Sequence, residues 1–155
     1  MSTQTAAETG KLDGNWRAGT LGGIAGGLVM GALVVAMNAP TLAVAIPSLY
    51  ALAPPPTLGL GMVVHVSHGA VLGVVFAALV GVSGVRTPTT QVGLGIAWGV
   101  AAWVGFAALL MPLWLRAVGS PASPPFPNFA LPSLLWHAVY GAVLGAVYVA
   151  TEEAV

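Results

Sequence analysis

His65-Val66-Ser67-His68-Gly69-Ala70-Val71-Leu72-Gly73 returns 72 residues later as His137-Ala138-Val139-Tyr140-Gly141-Ala142-Val143-Leu144-Gly145. Both copies are uncharged, and in each the histidine and two glycines are four residues apart, on one face of a helix. Aligned without gaps, residues 23–78 and 95–150 are identical at 17 of 56 positions. The matches include Gly23-Ile24-Ala25-x-Gly27 with Gly95-Ile96-Ala97-x-Gly99, Pro40 with Pro112, and Pro55 with Pro127. Self-similarity at a fixed offset marks a repeated supersecondary unit, here a two-helix hairpin.

Outward from these stretches, the charged residues are Glu8, Lys11, Asp13, Arg17, Arg86, Arg116, Glu152 and Glu153. They leave 18–85, 87–115 and 117–151 free of charge. Charged residues make up 5% of the 155, hydrophobic ones 57%, and mean hydropathy is +0.93. A soluble domain carries about 25% charged residues. This chain therefore lacks an ordinary water-facing surface, which argues against a soluble enzyme, a nucleic-acid binder and a disordered tail. Zero net charge offers no basic patch to phosphate backbones. The absence of cysteine removes disulfides, thiolate metal sites, iron–sulfur clusters and cysteine nucleophiles.

A membrane span needs roughly 20 apolar residues. The charge-free runs predict spans at about 18–39, 58–82, 90–115 and 131–150. Their continuous hydrophobicity lacks the alternation of membrane strands. The expected fold is an all-α transmembrane four-helix bundle of two tandem hairpins, repeat 1 at about 18–82 and repeat 2 at about 90–150. The two hairpins share one orientation, so a pseudo-twofold axis is expected along the membrane normal. Residues 1–16 read as a polar cytoplasmic tail and not a secretory leader; 17–155 read as a single transmembrane domain. The connections 40–57 and 118–130 are rich in proline, which blocks helix continuation, and 41–52 reads as a short interfacial helix or re-entrant turn. Four spans put both termini and the Arg86 loop on one side. That side holds Lys11, Arg17 and Arg86 against Arg116 alone on the other, so the positive-inside rule predicts a multi-pass cell-membrane protein with both termini cytoplasmic.

Small residues at four-residue spacing let membrane helices approach closely, and they also make room for a flat cofactor. The first span carries Gly19, Gly23, Gly27 and Gly31, the third Gly95 and Gly99, the second Gly69 and Gly73, and the fourth Gly141 and Gly145. His65 and His137 each fall about 10 Å below the outer boundary at 1.5 Å rise per residue. If the second and fourth spans face each other, the two imidazoles converge. An ionisable side chain at that depth is a functional hypothesis by default. Two opposed histidines in a four-helix bundle suit bis-histidine ligation of a b-type haem. The same pair suits copper or zinc if His68, Met62 or Met30 adds ligands. A structural role is the third option, with the imidazoles bonded to each other, to water or to a carbonyl. The cofactor-binding candidates are His65, His137, His68, Tyr140, Gly69, Gly73, Gly141 and Gly145; the metal-ligand candidates are His65 and His137. His68 has no twin, because Tyr140 takes its place. No span holds an acidic residue, and no P-loop, HExxH or GxSxG occurs, so no catalytic residue is expected. Three functions follow as expectations. One is a haem b redox module, an accessory subunit of a membrane respiratory complex. Another is a non-catalytic scaffold whose glycine faces pack on other membrane subunits or on further copies of itself. The last is a small-solute or ion pathway. In all three the lipid bilayer is a partner and nucleic acid is not.

Met111-Pro112-Leu113-Trp114-Leu115, Pro124-Pro125-x-Pro127-Asn128 and His137-x-x-Tyr140-Gly141-x-x-x-Gly145-x-x-Tyr148 resemble a family of small four-span membrane proteins. That family is common in halophilic archaea and often labelled "histidine kinase". The resemblance runs from about Trp16 onward and is densest between Met111 and Gly145. It implies an integral membrane protein of undefined biochemistry. The kinase label does not fit, since the chain has neither room for an ATP-binding domain nor a motif for one. The low acidic content of the tails departs from the halophilic pattern.

Overall fold

A chain that crosses lipid must satisfy its own backbone hydrogen bonds, and this one does so with helices. The computed structural model describes residues 14–155; most of the predicted tail, with Glu8, Lys11 and Asp13, lies outside the described residues. Among the described residues four helices are long and apolar enough to span a membrane: α1 (Trp16–Ser48), α2 (Leu58–Ser83), α3 (Pro88–Ala117) and α4 (Leu131–Thr151). No strand occurs among the described residues. The chain is a small multi-pass membrane bundle, and side chains such as Val63, Val82 and Leu131 stand exposed on its outside, as lipid contact requires.

Local chemistry sets the helix ends. Asn15 caps α1, its Oδ1 accepting from the N–H groups of Arg17 and Ala18. Its Nδ2 donates to the carbonyls of Glu152 and Val155, and its own N–H donates to Tyr148 Oη. This one residue fastens the start of α1 to the end of α4, so both described termini lie at one end of the bundle. Gly84 terminates α2 with φ +67°, a left-handed turn that glycine adopts without a Cβ penalty. Thr87 then caps α3, with Pro88 in its first turn.

At the other end α1 is in two pieces. Asn38 leaves helical geometry (φ −158°, ψ 65°) two residues before Pro40, and the kink closes the first piece near the expected boundary. From Pro40 the chain runs through a π-helical turn, Thr41–Ala45, to Ile46–Ser48, so much of the stretch expected as a short helix or re-entrant turn is helical. In α3, Trp103–Leu110 are π-helical before Pro112 enters the final turns. Wider turns let a membrane helix run past proline when the released carbonyls find other donors. The loops supply these donors: Thr57 N–H bonds to Ala43 O and Asn128 N–H to Ala108 O, each at 2.9 Å.

Glycine controls the packing. A Cβ at Gly23 would strike the Gly69 carbonyl, and one at Gly95 would strike that of Gly141. These two pairs are 72 residues apart, so α1 crosses α2 as α3 crosses α4. Between hairpins the equivalence fails. α1 packs along α4, whereas α3 scarcely touches α2. On α1, Gly22 and Gly26 form a second glycine face, where Cβ atoms would sit 2.7 Å from Leu144 O and 2.8 Å from Tyr140 O. The residues 72 further on are Leu94 and Trp98, and their bulk prevents the same approach. The contacts at these glycine pairs thus match in the two hairpins, whereas the contacts between hairpins do not match as the expected pseudo-twofold requires. At the end that holds the termini, Phe76 and Tyr148, also 72 apart, close the gap between α2 and α4 edge-to-face, with centroids 5.3 Å apart.

Candidate functional site

Where α3 stands away from α2, a cavity of about 590 Å³ opens among all four helices, within the volume range of ligand sites. Its lining includes Met30 and Val34 of α1, His65, His68, Gly69 and Leu72 of α2, Phe106 and Leu110 of α3, and Trp136, His137 and Tyr140 of α4. No charged residue lines it.

The three histidines have different surroundings. His137 Nδ1 lies 2.7 Å from the carbonyl oxygen of Ser133, one turn earlier in α4. A carbonyl only accepts, so Nδ1 carries the proton and Nε2 keeps its lone pair. This is the pattern by which proteins orient a ligating imidazole. His65 lies beside the Gly27 carbonyl, and its buried Nε2 has no hydrogen-bond partner. Leaving such a group unsatisfied costs about 1–3 kcal/mol. His68 Nε2 is 2.6 Å from Tyr50 Oη in the connection that follows α1, so this histidine is engaged at the rim.

Tyr140, expected beside a cofactor, donates its hydroxyl to the Gly69 carbonyl at 2.8 Å. It lines the cavity while acting as a strut from α4 to α2. Of the candidate glycines, Gly69 lines the cavity at its crossing with α1. Gly73 meets Gly19, Gly141 meets Gly95, and Gly145 packs on Val92, all in helix crossings outside the cavity lining. The space exists where glycine is missing from an interface. Met30 lines the cavity, whereas Met62 packs with Sδ against Gly31. Among the described residues no group of three or more His, Cys, Asp or Glu is placed to hold a metal ion, so the copper or zinc alternative lacks a ligand set of that kind.

Sequence reasoning missed the tryptophans. Trp98 Nε1–H donates to Leu72 O at 3.1 Å and Trp114 Nε1–H to Leu49 O at 2.9 Å, tying α3 to the first hairpin where backbones do not meet. The available signal was the break in the repeat, Gly26 against Trp98. Trp136 donates to Met37 Sδ at 3.0 Å. It stands with Thr41, Met111 and Ser133 between the histidine cavity and a second cavity of about 420 Å³, which Asn38 and Asn128 also line beside the 118–130 loop.

No family model, curated protein or solved structure matches the chain.

Proposed function

We propose that the protein is a membrane-embedded ligand-binding module that holds b-type haem between His65 and His137 and serves as a redox accessory subunit of a membrane respiratory complex. One observation carries this reading: imidazoles from two different helices line one apolar cavity, and neither has its Nε2 committed to a protein partner. Uncommitted imidazole nitrogens in an apolar slot are the chemistry of axial haem ligation, and the Ser133 carbonyl raises the basicity of His137. A scaffold role through the glycine faces has less support, because Gly19, Gly22, Gly23, Gly26, Gly95 and Gly99 are already occupied by contacts within the chain. The charge balance favours cytoplasmic termini, which sets the cavity toward the outer leaflet.

The test is spectroscopic. Protein purified in detergent and supplied with haemin is expected to develop a sharp Soret band with the low-spin features of two nitrogen ligands. His65→Ala and His137→Ala should each lose the low-spin spectrum, while Met62→Leu retains it. A wild-type protein that stays colourless after haemin is supplied ends the haem reading.

A further inference from the structure

The cavity wall between α2 and α3 is incomplete. Val71 stands midway along α2; it lines the cavity and yet is 64% exposed. Phe106 of α3 lines it too and is 47% exposed. A side chain that touches both the cavity and the exterior marks an opening. This one faces the lipid zone, since both helices are long and apolar enough to cross a bilayer.

The frame of the opening is equally specific. α2 and α3 hardly meet through their backbones. The indole bond of Trp98 to Leu72 spans the gap at one level, and further along α3 that of Trp114 ties the helix to Leu49 in the connection after α1. Between these two tryptophans α3 is π-helical over Trp103–Leu110, a form frequent at functional sites. A Cβ at Gly105 in this segment would meet nothing within 4 Å, so this position faces open space. The lining is uncharged, and its polar groups are histidine, tyrosine, threonine and serine side chains.

We propose that the ligand of this cavity is a bilayer-soluble molecule with a nitrogen-coordinating or hydrogen-bonding centre, and that it enters sideways from the hydrocarbon phase, between α2 and α3, through the window framed by Trp98 and Trp114. This rests on reading the cavity as a ligand site and adds the phase from which the ligand comes. The competing route is aqueous, through the second cavity and past Trp136.

The test uses a position outside the binding cavity. Val75→Trp, one turn from Val71 on α2, 39% exposed and outside the cavity lining, and Ala122→Trp on the second cavity are reconstituted separately in phosphatidylcholine vesicles. Each variant must reach the final Soret amplitude of wild type, which keeps folding and occupancy out of the result, and Val75→Phe stands in where the larger ring does not fold. Haemin carried in donor phosphatidylcholine vesicles is the probe, and the growth rate of the Soret band is the readout. Val75→Trp is expected to slow the band at least tenfold, with Ala122→Trp leaving the rate unchanged. Slowing by Ala122→Trp instead, or by neither variant, overturns the lateral route while the band itself upholds the binding site. No band in the wild type removes the binding site and the portal together.

Discussion

The interface of α1 with α4 and that of α3 with α2 are the same pair of surfaces displaced by 72 residues, and they pack in opposite ways. In the first, Gly22 and Gly26 let backbone lie on backbone against Leu144 and Tyr140. In the second, Leu94 and Trp98 hold the helices apart, and contact is reduced to an indole N–H on the Leu72 carbonyl. Leu144 and Leu72 are themselves 72 apart, so one position supplies the contact in both interfaces. Lipid tails are as apolar as leucine, so helices in a membrane associate through close van der Waals contact. Two large side chains in place of two glycines thus go with the change from a close seam to a wide one.

Gly26→Trp tests this most severely, because it gives α1 the residue that α3 carries. Its Cβ would lie 2.8 Å from the Tyr140 carbonyl, and the side chain has no room beyond. Overpacking of this kind costs about 3 kcal/mol or more, so thermal unfolding in detergent should show a large loss of folded protein. A melting temperature close to wild type would break the comparison. Trp98→Ala removes the strut from the opposite interface. Trp98 is half-buried, and its truncation is expected to cost about 2 kcal/mol, with a matching fall in melting temperature. A null effect would show that α2 and α3 are held by something other than the indole.

The histidines sharpen the comparison at a smaller scale. His65→Leu removes a buried nitrogen that has no partner, so ligand-free protein should gain up to about 1 kcal/mol. His137→Leu removes the bond to the Ser133 carbonyl and should lose about 1 kcal/mol. Melting curves of both variants without added haemin read the sign. Changes in the same direction would mean that the two sites, matched in sequence, are also matched in environment.

Much of this was legible in the chain. The positions of Arg86 and Arg116 and the length of the apolar runs locate four spans, and Gly23/Gly69 and Gly95/Gly141 mark the crossings inside each hairpin. The face shared by His65, Gly69 and Gly73 follows from helical period alone. Other features escaped because they depend on partners distant in sequence. A rule that proline ends helices overlooks the loop donors Thr57 and Asn128, which satisfy carbonyls in the π-helical turns. The bond from the Tyr140 hydroxyl to Gly69 O joins α4 to α2 across 71 residues, and no local pattern signals it. His68 reads as a spare ligand until Tyr50 is found at its rim.

Taken alone, the sequence determined the apolar character of the helices, the number of spans, the internal offset of 72 and the helix face that each histidine shares with its glycines. These depend on composition and spacing, which act along one helix at a time. Tertiary structure decided which faces seal and which stay open, hence that His65 and His137 border one cavity and that its wall is thin between α2 and α3. That outcome rests on whether opposing surfaces can reach contact distance. A single glycine or tryptophan sets this distance only through the backbone it meets across the interface.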